Sequence, residues 1–302
     1  MKPIKQAGPR QSWRRVFDRI MKGLVIVAVV VAVIPLVLVV WDVVSQGLPA
    51  ITLSFFTHNP PSPCSSSEIA SGNAMCYGGI LNGIEGSLLM VGMATAIAVP
   101  VGIGAGIYFS EWPESRLSFI SSFTNDVLAE FPTITIGLFI FVLIVQTTRT
   151  FSAVAGATSL AIIMLPIVAR TTEESLKLVP TTLREASMAL GIPRWKTIFR
   201  IVISTGRSGL ATGILLAIAR AAGETAPLVV TAGYLNYPPS GLFQPTASIP
   251  YIVYNFGTGG DYANWTTTAW GAALALVAFM LILNLGVKFF IGRKFAGVRA
   301  EI

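Results

Sequence analysis

Apolar residues along this chain gather in long runs rather than in alternating pairs. Six runs stand out, 23–41, 88–109, 131–148, 151–169, 208–234 and 269–287. Most are close to the ~20 residues a helix needs to span a hydrocarbon core. Strands of a membrane barrel would instead be ~10 residues long with period-two alternation, and no run shows it. The pattern therefore predicts an all-α, polytopic membrane protein with six transmembrane helices. Only the fifth run is interrupted by opposite charges near its middle, Arg220 and Glu224 in LLAIARAAGETAPLVVTAG, 215–233.

Composition agrees with the pattern. Of 302 residues 53% are hydrophobic and 12% charged, against roughly 25% charged in an ordinary soluble domain. The positive charges then orient the spans. Seven lie in the basic tail 1–22, seven in the segment 170–207 and four after residue 287. No Lys or Arg occurs in 42–87 or 235–268, and Arg149 is alone in the third connection. By the positive-inside rule both termini and 170–207 are expected in the cytoplasm. Arg116 stands against Glu111 and Glu114, so the second connection is placed by its neighbours. The net charge of +7 is this inward excess, suited to anionic membrane lipid. Because it is split among three segments, it argues against a nucleic-acid surface. The first run exceeds a signal-peptide core and lacks a clear cleavage site, so an uncleaved anchor is expected, kinked at Pro35.

Two loops carry content. The first, 49–80, reads HNPPSPCSSSEIASGNAMC over 58–76 and has little propensity for regular structure. It holds both cysteines, Cys64 and Cys76. An oxidising exterior would let them form a disulfide; two unpaired thiols are the alternative. His58, the sole histidine, has no accompanying ligand cluster and reads as solvated, so no metal site is expected.

The second loop centres on TTLREASMALGIPRWKTIFRIVIS, 181–204. Thr182 and Glu185 have capping-box spacing, so a helix of about two turns is expected from Thr182 to Leu190. Gly191 supplies a left-handed stop and Pro193 blocks resumption in register. Leu183, Ala186, Ser187 and Leu190 share one narrow face, useful only against a partner because so short a helix is unstable alone. The Gly191–Pro193 break would let this helix move independently. Trp195, Ile198, Phe199, Val202 and Ile203 predict a second amphipathic stripe.

Glu185-Ala186-Ser187, three residues, Gly191, nine residues, then Ile201-Val202-Ile203 resembles the EAA loop of ABC-importer permeases. Ser187 replaces the second alanine and Ser204 the usual proline, which leaves the exit into the fifth span less constrained. A wider resemblance covers nearly the whole chain. GIGAGIYFSEW (102–112), NDVLAEFPTITIGLF (125–139), LPIVARTTEESLKLVPTTLREASMALG (165–191) and GILLAIARAAGETAPL (213–228) are similar to the PstA-type permeases of bacterial high-affinity phosphate ABC importers. The first tail and 49–80 match loosely. The resemblance implies a type I ABC-importer permease fold, a transmembrane domain over 81–292 with its coupling loop at 170–207, a first helix and outer loop over 23–80, and short cytoplasmic tails at 1–22 and 293–302. It implies a multi-pass inner-membrane protein and a coupling helix, Thr182, Glu185, Ala186, Ser187, Leu190 and Gly191, seated on an ATPase. The implied partners are a PstC-type sister permease, a PstB-type ATPase dimer and a periplasmic or lipid-anchored phosphate-binding protein. No Walker A pattern occurs, so ATP and Mg belong to the ATPase and this chain is expected to be non-catalytic.

Arg220 and Glu224, four apart, share a helix face too deep for snorkelling, so that face must meet the bundle interior or a polar cavity. Guanidinium offers a planar fork of donors to an oxyanion, and a nearby carboxylate would keep the site weak enough to release it. An internal salt bridge is the equally weighted alternative from placement alone. The resemblance, in which the pair lines the phosphate path with Thr225 beside it, favours transport, with Pro227 hinging the helix. Arg170, read as the end of the fourth helix, Glu130, Asn82 and Glu85 rank lower. Glycine pairs 79/83, 102/106 and 209/213 suggest close helix packing. Rival readings are a permease for sulfate or molybdate, a proton-coupled secondary transporter using the Arg/Glu pair, and a membrane regulator reporting through its inner loop.

Overall fold

The computed structural model describes residues 9–259 and 262–296. The outermost parts of the two predicted tails, 1–8 and 297–302, lie outside the described residues. Among the described residues every regular element is helical.

The first helix, α1 (Pro9–Gly47), runs unbroken through Pro35. It leaves its apolar span uncovered by the rest of the chain. A 3-10 turn at Leu48–Ala50 and short helices α2 (Leu53–Thr57) and α3 (Ser66–Ala70) follow, with a further 3-10 turn at Ala74–Cys76. The outer loop is thus more regular than its composition predicts. A capping box at its centre explains part of the difference: Glu68 N donates to Ser65 Oγ, and Ser65 N donates to Glu68 Oε2 at 2.8 Å.

Next come α4 (Leu81–Glu111), α5 (Arg116–Glu130) and α6 (Thr133–Ile140), the last continuing through a π-helical turn, Phe141–Val145, into α7 (Gln146–Thr148). The third span is where expectation and structure differ most. The run 131–148 is expected to cross by itself, but its helical part, 133–148, forms with 116–130 a bent pair with a 102° angle. Pro132 is the N-cap of α6 and leaves Phe131 extended, because a proline ring disfavours helical backbone at the preceding residue. Among the described residues five helices are long and apolar enough to cross a membrane, or six when the bent pair is counted as one span.

The helix α8 (Ala153–Lys177) is the centre of the bundle. It extends eight residues past the end expected from hydropathy, so Arg170 lies within it and pairs with Glu173 and Glu174 at 3.1 Å each. These i,i+3 and i,i+4 pairs keep the helix going through a polar stretch. Beyond it are α9 (Thr181–Ala189), α10 (Arg194–Thr197), a π-helical turn at Ile198–Val202, α11 (Ile203–Ala222), α12 (Ala226–Thr231), α13 (Ile249–Thr258) and α14 (Ala263–Ala296).

The main core joins α4, α8, α11 and α12 through Met90, Ala94, Leu160, Met164, Ala217 and Leu228. Small residues set its spacing. At Gly106 an added Cβ would lie 2.5 Å from the Ala169 carbonyl oxygen, and at Gly102 one would lie 2.8 Å from Val168. The predicted pairs 102/106 and 209/213 therefore mark helix packing on α8, whereas Gly79 of the remaining pair precedes α4 and lies against the Phe55 and His58 carbonyls. An outer cluster of Phe55, Ile80, Ile252 and Phe256 seats the outer loop on α13 and α14.

Candidate functional site: a membrane-centre pair and an inner corner

Arg220 stands in the last turn of α11, and the helix ends at Ala222. Depth follows from packing along α8. Gly206, Gly209 and Gly213 lie against Leu176, Ser175 and Thr171, the inner end of α8. Arg220 is two further turns from that end, about 10 Å beyond Gly213, well inside the membrane-spanning body. Its helix face, with Thr212 and Leu216, is not covered by the chain, and the Arg220 side chain is 55% exposed.

Glu224 is 15% exposed, and Arg220 Nε stands 3.7 Å from its Oε1. That distance exceeds a hydrogen bond. The pair is an open ion pair that leaves donors of the guanidinium unused. Gly223 to Thr225 form a break between α11 and α12, with Gly223 N donating to the Arg220 carbonyl and Glu224 N to that of Ala221. Thr225 caps α12, and its carbonyl accepts from Leu228 N and Val229 N. The three predicted path residues thus meet at one discontinuity. Pro227 sits inside the first turn of α12, where it is well tolerated; the discontinuity precedes it.

Among lower-ranked residues, Asn82 is fully buried, donating to the Leu235 carbonyl at 2.6 Å. Glu85 and Glu130 are exposed.

At the end of the bundle where α8 gives way to the 178–197 connection the short helix exists, with a different start. Pro180, not Thr182, occupies the N-cap, and no side chain caps the helix. The Thr182–Glu185 box does not form because Pro180 already places Thr181 and Thr182 in the first turn. The C-terminal end is as expected. Gly191 has φ +78°, Ile192 N donates to the Ser187 carbonyl and Gly191 N to that of Met188, a Schellman closure.

Leu183, Met188 and Leu190 are 42%, 47% and 81% exposed, an apolar surface without a cover in this chain. Glu185 and Ala186 are exposed beside them. Ser187 is the correction here: it is buried and hydrogen-bonded to Thr197 Oγ1 at 2.8 Å, so it faces the chain rather than a partner. The second stripe also divides, with Trp195 and Phe199 outward and Ile198 and Val202 buried. A π turn at Ile198–Val202 makes α-helical spacing a poor guide there.

Sequence reasoning missed the residues that hold this corner. Arg184 Nε donates to Glu111 Oε1 at 3.1 Å, while its two terminal nitrogens donate to the carbonyls of Val179 and Leu176 at 2.6 and 2.9 Å. Arg194 donates to the Glu111 carbonyl and stacks over Trp112, 4.7 Å from the ring centroid.

On the outer side Cys64 and Cys76 form a disulfide with Cα atoms 5.6 Å apart. Asn264 fastens the stapled loop to α14, donating to the carbonyls of Ser62 and Cys76 at 2.7 and 3.2 Å and accepting from Cys64 N. Trp265 Nε1 donates to the Pro61 carbonyl. His58 is exposed and contacts Thr57 and Ser54, and among the described residues no cluster suited to a metal occurs.

A helical body with a charged break at its centre and an uncovered inner helix defines a transporter permease of the type I ABC-importer fold, in an inner membrane that it crosses several times. The inward-facing structure of the MetNI methionine ABC transporter shares this fold, with a TM-score of 0.58 over 78% of this chain and 99% of that chain, at 18% identity. The chain belongs to the family described as binding-protein-dependent transport system inner membrane component, matched over residues 98–295, and within it to the PstA-type permeases. The phosphate transport system permease protein PstA of Haemophilus influenzae is 36% identical over 286 residues, 94% of this chain and 97% of that protein. The PstA of Xylella fastidiosa is 42% identical over 247 residues, 81% of this chain and 82% of that one. PstA 1 of Mycobacterium tuberculosis is 39% identical over 275 residues, 90% of this chain and 86% of that one.

Proposed function

We propose that this chain is the permease subunit of an ATP-driven inorganic phosphate importer and forms half of its translocation path. The single observation that carries the reading is Arg220. A permanently charged side chain about midway through a membrane body, left half exposed by its own chain, requires a second protein surface or a wet cavity. A PstC-type sister permease would supply the other wall. The open pair with Glu224 suits an anion taken up briefly, because the unused donors can receive phosphate oxygens while the carboxylate weakens retention.

In this reading both termini and α9 face the cytoplasm. A PstB-type ATPase dimer, which holds ATP and its magnesium, receives the exposed Leu183, Met188 and Leu190 surface, and this chain performs no hydrolysis. A phosphate-binding protein delivers the anion to the opposite side. Nucleotide can shift the permease only as far as the closed ATPase prefers the outward state.

The test is phosphate uptake by the reconstituted complex. Arg220→Gln is expected to abolish uptake with assembly intact, and normal uptake would return the pair to a structural salt bridge. Competition by sulfate or molybdate would reassign the substrate, and uptake unaffected by a catalytically dead ATPase would indicate a secondary transporter.

A further inference from the structure

The Gly191–Pro193 break looks like a hinge in the chain, yet side chains bridge it. Arg184 precedes the break and Arg194 follows it, and both end on Glu111, one on the carboxylate and the other on the backbone carbonyl. The Ser187–Thr197 hydrogen bond spans the same gap, with both residues buried. Swinging α9 about Gly191 would strand the Glu111 carboxylate, whose side chain is only 5% exposed, away from its cation. Among the described residues Arg184 is the cation on that carboxylate, and a buried charge parted from its partner is strongly disfavoured. Arg184 also closes carbonyls at the end of α8, so α9 is fixed to α4 and α8 at once.

We infer that Glu111 is a positioning residue that joins α9, α10 and the inner ends of α4 and α8 into one body, so that a push on α9 moves the two central helices instead of bending the chain at Gly191. α8 then passes the displacement to α11 through Gly206, Gly209 and Gly213, which pack directly on the side chains of Leu176, Ser175 and Thr171 with no room for a side chain of their own. The inference rests on the coupling role proposed for α9, and it places the moving joint elsewhere, at the far end of α11 where Gly223 to Thr225 interrupt the helix.

The experiment uses the complete complex in liposomes, with ATP hydrolysis and phosphate uptake measured on the same vesicles and amide exchange measured over 181–199. Glu111→Gln is expected to keep ATP hydrolysis near the wild-type rate, lower phosphate taken up per ATP about tenfold, and speed exchange in 181–199 about tenfold, the scale of one charged hydrogen bond. Glu111→Asp should recover most of both. Wild-type uptake per ATP together with unchanged exchange in Glu111→Gln would overturn the inference, as would no recovery by Glu111→Asp. If Glu111→Gln does not assemble, Arg184→Lys, which keeps the charge and loses the fork, must show the same uncoupling; normal coupling there overturns it equally. Failure of the phosphate reading is separately visible, since wild-type vesicles would then hydrolyse ATP without taking up phosphate while the exchange difference persisted.

Discussion

The two long connections of this chain are held in opposite ways. On one side, 48–80 is closed by the Cys64–Cys76 bond and tied to α14 by Asn264 and Trp265. On the other, 178–197 is closed by Arg184, Arg194 and Glu111, with the Ser187–Thr197 hydrogen bond beneath. A covalent staple survives any change of partner. A charged clamp holds while its partners stay paired and is undone by a single substitution. The contrast is between one loop whose shape is fixed by a covalent bond and another whose shape depends on a buried ion pair.

Breaking the clamp should have the largest effect. Arg184→Ala leaves the Glu111 carboxylate buried without a cation and should cost about 3–5 kcal/mol, read as a lower thermal midpoint and early proteolysis in 178–197. Replacing Cys64 and Cys76 together by serine should cost about 3 kcal/mol, with new cleavage confined to 58–76. A reducing agent should reproduce that pattern and leave the inner corner untouched; loosening of both loops would refute their independence.

Gly191→Ala tests the backbone stop of α9. Space around it is open, so only its φ of +78° opposes a side chain, at about 1–2 kcal/mol. Thr182→Val should change stability by less than about 0.5 kcal/mol, because Thr182 caps nothing. The smallest effect concerns pH. Hydrogen bonds from the Ser65 backbone and hydroxyl hold the Glu68 carboxyl below its ordinary value of 4.5. Its contribution is therefore complete above that value and fades as pH falls through the lowered one; Ser65→Ala, which loses the hydroxyl and keeps the larger backbone contribution, should weaken this acid dependence of local amide exchange in 65–71 without abolishing it.

Much of this was legible in the chain itself, for physical reasons. Spanning runs are read directly because bilayer thickness imposes their length. Gly191 was legible because a left-handed residue after a short periodic segment has few other uses. Arg220 and Glu224 were legible because charge is so conspicuous in an apolar run. What escaped was non-local or pre-empted. Nothing near Glu111 announces a partner 73 positions away. Asn264 acts on carbonyls roughly two hundred residues distant. Thr182 met the spacing of a cap, but Pro180 had already turned the backbone. The bend between α5 and α6 was hidden because hydropathy registers Phe131 and Pro132 only as more apolar residues.

The π turn at Ile198–Val202 lies between the inner corner and the fifth span. Such a turn holds about one residue more than an α-helical one, so the extra residue is absorbed where it stands. Removing one residue from 198–202 would restore plain α geometry and leave the rest of α11 at nearly its present azimuth, whereas removing one from the α-helical part above it would rotate Arg220 by about 100°. The bulge is therefore the one place in this helix where the residue count can change without re-aiming the charge.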